Sequence, residues 1–209
     1  MLKIVPRSGA LASVLLVLPL LLGAVPPDER ANDIARIEDY LNGLGSMKAR
    51  FVQFAPNGGR ATGALLYERP DKMRLDYDPP SPVLIIANGW ELIYHDRKLE
   101  QTSHLFTSST PLGFLLEDHI RLRGDVTVTD FARRDGQLMV TLVQTDEPDE
   151  GGITLFFDAD PIALRRWTVT DAQGRTTHVV LDQVQLDVPI DDDLFRFRDP
   201  RMFPGARDK

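Results

Sequence analysis

Turn-forming clusters cut most of this chain into segments too short for anything but strands. They fall at Asn57-Gly58-Gly59, Pro79-Pro80, Asn88-Gly89, Asp135-Gly136, Gly151-Gly152, Asp158 to Pro161 and Gln173-Gly174. Little room remains between them for crossover helices, so neighbouring strands must pair antiparallel through hairpins. Val83 to Ala87 and Trp90 to His95 flank Asn88-Gly89, which is a two-residue type I′ signal. Asp125 to Ala132 and Gln137 to Gln144 pair around Arg134-Asp135-Gly136, and Ile153 to Phe157, Arg165 to Thr170 and Arg175 to Asp182 form a further meander.

Two segments depart from this period. From Asp28 to Leu44 the apolar residues Ala31, Ile34, Ile37, Tyr40, Leu41 and Leu44 recur every three or four positions, with Gly43 and Gly45 as stops, which predicts one amphipathic helix. Thr107-Ser108-Ser109-Thr110-Pro111, followed by Leu112, Phe114, Leu115 and Leu116, reads as a second, short capped helix with proline in its first turn. Roughly ten strands with two helices must curl, or stack on a second sheet, to hide one face. Met73, Leu75 and Tyr77 give that face an apolar row, while Lys72, Arg74 and Asp76 point the other way into water. The sheet and helix then enclose either a hollow or a filled core.

The N-terminus carries Lys3 and Arg7 ahead of an uncharged run from Leu11 to Val25, the layout of a signal peptide. The run contains Pro19 and Gly23 and is shorter than the ~20 residues that span a bilayer. Residues 1–24 are therefore expected to be a cleaved signal, with the cut after Ala24, and residues 25–209 a single domain. The chain has no cysteine, so burial and backbone pairing must hold an exported fold together without disulfides. A lipid anchor on a mature N-terminal cysteine is likewise ruled out. The net charge of −7, which becomes −9 without Lys3 and Arg7, argues against a nucleic-acid partner.

No enzyme chemistry emerges from the side chains. His95, His104, His119 and His178 lack metal-ligand spacing, and neither a nucleophile elbow nor a phosphate-binding glycine loop occurs. No catalytic residue, metal or cofactor is expected. Asp191-Asp192-Asp193 reads as a solvated turn before the strand-like Leu194-Phe195-Arg196-Phe197. What stands out is Gly63 to Tyr77, in which Leu65, Tyr67, Arg69, Met73, Leu75 and Tyr77 share parity. Arg69 either aims into the apolar concavity, where it must find carbonyls or a carboxylate, or sits at the rim and reaches water through its stem.

Phe51-Val52-Gln53, Arg69-Pro70 with Arg74, Ile86-Ala87-Asn88-Gly89, Tyr94-His95-Asp96, Glu100-Gln101-Thr102, Thr110-Pro111-Leu112 and Phe195-x-Phe197 before Pro200 resemble, in order and spacing, the periplasmic outer-membrane lipoprotein carriers of the LolA family. The resemblance runs from Asn32 to Pro204. It implies a mainly β fold with a few helices: a curled antiparallel sheet, or incomplete β-barrel, with a helical lid over its apolar concave face. It also implies a monomeric periplasmic carrier that takes lipoproteins, by their acyl chains, from an inner-membrane ABC transporter and passes them to an outer-membrane acceptor. Arg69 falls on the family's lid latch, which bonds helix carbonyls. The implied apolar lining is Phe51, Leu65, Tyr67, Met73, Leu75, Tyr77, Ile86, Leu112 and Phe114. The chain departs from the family at Arg74-Leu75, where Arg-Trp is usual, at Asn88-Gly89, where Asp-Gly is usual, and in the early placing of Trp90. These differences leave open a carrier or binding module for a different lipid.

Overall fold

A computed structural model describes residues 27–199; the expected signal peptide and the Pro200 to Pro204 end of the resemblance lie outside them. Helix α1 (Pro27–Gly43) forms where the three-and-four periodicity falls, with proline at its first position and Asp28 and Glu29 in the first turn, where carboxylates suit the helix dipole. Eleven strands follow: β1 (Ser46–Phe54), β2 (Arg60–Glu68), β3 (Lys72–Tyr77), β4 (Val83–Asn88), β5 (Glu91–Asp96), β6 (Gln101–Phe106), β7 (Val126–Arg134), β8 (Gln137–Gln144), β9 (Gly151–Ala159), β10 (Ile162–Asp171) and β11 (Thr176–Leu186).

All eleven strands lie in one antiparallel sheet, in the order β6-β5-β4-β3-β2-β1-β11-β10-β9-β8-β7, which stays open between β6 and β7. The order is that of two meanders, β1 to β6 and β7 to β11, zipped together where β11 pairs with β1. A chain that leaves one edge at β6 and re-enters at the opposite edge with β7 has to cross a face of the sheet. Residues 107–125 make that crossing. Bulges between Lys48 and Arg50, Leu164 and Arg166, and Val128 and Asp130 add local twist, which helps the sheet curl.

Opposed residues in an antiparallel pair share a face. Met47, Tyr67, Met73, Ala87 and Leu92 therefore form one inner row across β1 to β5, and Ala49, Leu65, Leu75, Ile85 and Tyr94 form a second. Ile37 and Leu41 of α1 and Phe114, Leu116, Ile120 and Leu122 of the crossing segment pack on this face in a single core cluster. Of the two possibilities left by the sequence, the structure shows a filled core beneath α1.

Several expectations need correction. The 107–116 segment is not a capped helix but two separate 3-10 turns, Thr107–Ser109 and Gly113–Leu116, neither with a side-chain cap. The β4–β5 turn is shifted by one residue: Asn88 pairs with Glu91, so Gly89 and Trp90 are its central residues, with glycine at φ +72° in the first, as a type II′ turn requires. Leu194 to Phe197 is not a strand; Asp192–Phe195 is a 3-10 turn, with Asp191 accepting from the Asp193 N–H. Arg74 does not reach water. It is buried, donates to the Leu194 carbonyl at 2.9 Å and pairs with Asp76 at 2.8 Å.

The same C-terminal stretch displaces Ile86 from the expected lining. Ile86 is opposed to Arg74 and Ile93, on the outer face of the sheet, so it cannot belong to the inner lining. That outer face is covered by a strap: Lys72 pairs with Asp192, Asn88 donates to the Phe195 carbonyl, and Phe197 packs on the His95 ring at 5.0 Å.

Candidate functional site: a lid stitched across the inner face

The β2–β3 turn brings Arg69 to the point where the C-terminus of α1 meets the crossing segment. Its guanidinium donates to the Asp118 carbonyl at 2.6 Å and, more loosely, to the Leu41 carbonyl and the Asn42 Oδ1, both at 3.4 Å. Of the two positions open to Arg69, the structure selects the one that bonds carbonyls. One cation thus ties the helix and the crossing segment to the sheet. Two residues earlier on the same face, the Tyr67 hydroxyl donates to the Leu115 carbonyl at 2.7 Å. Burial pushes the Tyr67 phenol above its ordinary pKa, with Arg69 opposing the shift, so it remains a donor at neutral pH.

Phe51 and Tyr77 meet edge to face at 5.0 Å on the inner face, where the Tyr77 hydroxyl donates to Gln53 and burial pushes its pKa up to about 12. Leu65, Met73 and Leu75 are buried with them in the core cluster, and Leu112 packs half-buried against it. Phe114 belongs to the same cluster and also faces open space. It lines a cavity of about 480 Å³ between the two 3-10 turns and the β8–β9 connection, together with Leu116, Val126, Leu142 and Ile153. Nine lining residues were expected. Six sit together on the inner face of the sheet, Leu112 packs on them from the crossing segment, Phe114 of the same segment borders the open cavity, and Ile86 lies on the other face.

Sequence reasoning missed the helix side of the lid. The Asn42 side chain donates to the Ile120 carbonyl at 2.8 Å and accepts from the Ile120 N–H at 2.9 Å, completing both backbone groups of one residue as a neighbouring strand would. Glu38, one turn earlier, accepts from the Leu122 N–H at 2.7 Å. At the far end of α1, Asp33 is 0% exposed and takes both oxygens to Arg133 at 2.8–2.9 Å, with Arg36 at 3.1 Å. Arg36 also reaches Ala159 O and Asp160 in the β9–β10 turn. Asp33 carried a readable signal, since it lies on the same helical stripe as Ile37 and Leu41. Asn42 carried none.

The arrangement is a closed cover. Ions pin one end of the helix to the β7 and β9–β10 side of the sheet, while hydrogen bonds hold its other end and the crossing segment over an apolar floor. Among the described residues no cluster of potential metal ligands is present, and no helix is long and apolar enough to cross a membrane.

Comparison with known proteins identifies the family. Residues 42–198 match the family described as outer membrane lipoprotein carrier protein LolA. An outer-membrane lipoprotein carrier protein of Halorhodospira halophila is 26% identical over 197 residues, covering 90% of this chain and 91% of that protein. A protein of the same description from Nitrosomonas europaea is 24% identical over 205 residues, covering 93% and 98%. A solved LolA superfamily structure from Nitrosomonas europaea aligns with a TM-score of 0.47 at 10% identity, over 80% of this chain and 97% of that one. Because the family match spans most of the chain and includes Arg69, Tyr67 and the crossing segment, the chain belongs to the LolA family.

Proposed function

We propose that this protein is a periplasmic carrier that holds the acyl chains of lipoproteins on the inner face of its sheet, and that it accepts them from an inner-membrane ABC transporter and delivers them to an outer-membrane acceptor. The observation that carries this reading is the Arg69 latch, a cation that spends its hydrogen bonds on the backbone carbonyls of two covering elements. Such bonds are worth ~1.5–3 kcal/mol each, enough to keep an apolar face shut and weak enough for cargo to displace. Burying one acyl chain recovers roughly 0.8 kcal/mol per methylene, or about 12 kcal/mol for a chain of ~16 carbons. Ile37 and Leu41 of α1 already pack on the inner face in the core cluster, so loading means lifting the cover. The cavity of about 480 Å³ beside Phe114 is of ligand-pocket size and offers the place where displacement begins. On this reading residues 1–24 are removed on export, and residues 25–209 act as a monomer free of both membranes.

The test is a two-step transfer assay with the purified mature protein, inner-membrane vesicles that release lipoprotein on adding ATP, and outer-membrane acceptor. Wild type should take up and then deliver lipoprotein. Arg69→Leu should fold normally and accept cargo but deliver it several-fold more slowly, since the closed form that expels the chains has lost its latch. Normal delivery by Arg69→Leu removes the latch role. Copurification with phospholipid, and no uptake of lipoprotein, would make the protein a carrier of a different lipid.

A further inference from the structure

Among the described residues the sheet has two unpaired edges, and they are built differently. β7 carries a bulge between Val128 and Asp130, bears Asp130, Arg133 and Arg134, and sends Arg133 to α1; these are devices that natural sheets use to stop another strand from pairing. β6 has none of them. Its six residues, Gln101 to Phe106, pair with β5 in unbroken register and include no proline, lysine, arginine or carboxylate.

The register also fixes which backbone groups of β6 are free. The Thr107 N–H donates to the Trp90 carbonyl at 2.9 Å, so the alternation of an antiparallel ladder turns Gln101, Ser103 and Leu105 toward β5, and Thr102, His104 and Phe106 outward. The Phe106 carbonyl takes the Ser109 hydroxyl at 2.7 Å. No described strand pairs with the outward N–H and C=O groups of Thr102 and His104.

Exposed apolar side chains gather along this edge. Trp90 (68% exposed) and Phe106 (62%) stack with ring centroids 5.6 Å apart, and Leu105 is 47% exposed. Leu105 is also the last member of the inner row Met47, Tyr67, Met73, Ala87 and Leu92, so the apolar floor under the lid runs without a break to the open edge. Anything attached to a chain lying on that floor comes out beside β6.

We propose that β6 is a docking edge for the extended polypeptide that leads away from the acylated residue of a lipoprotein cargo, which adds as a twelfth, antiparallel strand. This rests on the carrier reading above. Main-chain bonds to Thr102 and His104 supply affinity without regard to sequence, which suits a carrier of many cargoes, while Leu105 and the Trp90–Phe106 pair give its alternating side chains apolar ground on either face. A second copy of the chain is the poorer occupant, since each copy without Lys3 and Arg7 carries a net charge of −9.

The experiment uses two synthetic probes, a diacylglyceryl-cysteine and the same lipid bearing an extended eight-residue Ser/Thr/Val tail, with wild type and His104→Pro. Proline at an edge position whose N–H faces outward leaves β5 pairing intact. Wild type is expected to bind the tailed probe about tenfold more tightly, with exchange of the Thr102 and His104 amides slowed only by that probe; His104→Pro should lose the gain and bind the tailless lipid as wild type does. Equal affinity for the two probes, equal amide protection by both, or a concentration-dependent dimer protecting the same amides without lipid would each overturn the proposal. Failure of wild type to bind either probe would instead overturn the carrier reading. The amide measurement on wild type stands whether or not His104→Pro folds.

Discussion

Arg69 and Asn42 do related work from opposite sides of the lid. Arg69 was only half legible from the sequence: its parity with Leu65 and Tyr67 left open whether it met carbonyls or water, and the helix carbonyls were pointed to by the family resemblance alone. Asn42 was not legible, because its partners are the backbone groups of Ile120, 78 residues away, and nothing in the side chain of residue 120 advertises them. Asn42→Ala leaves both groups of a buried residue unpaired and is expected to cost about 1–3 kcal/mol. Asn42→Asp keeps the acceptor for the Ile120 N–H but sets an oxygen against the Ile120 carbonyl, so it should not restore stability. Urea melts give the size of the loss. Hydrogen exchange at Ile120 and Leu122 should accelerate in both variants ahead of the sheet amides, and exchange that rises evenly across the chain would show that Asn42 holds the whole fold rather than the lid.

At the level of elements, the hairpins were legible and the lid was not, for one physical reason. A hairpin satisfies its backbone within a few residues of sequence, so Asp135-Gly136 marked the β7–β8 turn where it occurs. The 107–125 segment makes only single-turn bonds of its own, such as Thr110 N–H to the Thr107 carbonyl and Leu115 N–H to the Leu112 carbonyl, and has later carbonyls completed from outside, by Tyr67 at Leu115, Arg69 at Asp118 and Asn42 at Ile120. It is also held too close for a regular helix: a Cβ on Gly113 would lie 2.2 Å from the Thr107 carbonyl oxygen. Helix α1 was placed correctly, but its fixed end was not. Removing Arg133 leaves the buried Asp33 with Arg36 alone, so Arg133→Leu should be destabilising, though less so than a variant that leaves Asp33 with no cation at all. The double variant Asp33→Leu, Arg133→Leu strands no charge and should recover most of the loss in urea melts. A double variant less stable than Arg133→Leu would mean that the ion pair contributes net stability rather than fixing where the helix sits.

Across the whole molecule the sheet separates two tasks by face. The inner face carries the displaceable cover, and the outer face of β3 to β5 is closed by the C-terminal strap, whose Phe195 is fully buried. Phe195→Ala should therefore cost about 3–5 kcal/mol while leaving the Kd for lipid of the folded protein unchanged, as measured by urea melts and direct titration; weakened lipid binding at full folding would couple the two faces. The strap also sets a pH window. The Lys72 ammonium beside Asp192 holds that carboxyl below its ordinary range, and Asp192, with Glu68, raises the pKa of Lys72. A carboxylate with a lowered folded pKa contributes stability above the unfolded value, about 3.9, and loses it as the pH falls through the folded value; a raised lysine contributes below about 10.4 and loses it as the pH rises through its own. Stability curves of wild type and Asp192→Asn should therefore run apart between about pH 4 and 10 and converge on either side. Because Asp192 is exposed the gap will be small and will close with added salt. A gap that persists in salt would mean that the strap is held at Asp192 by something other than charge.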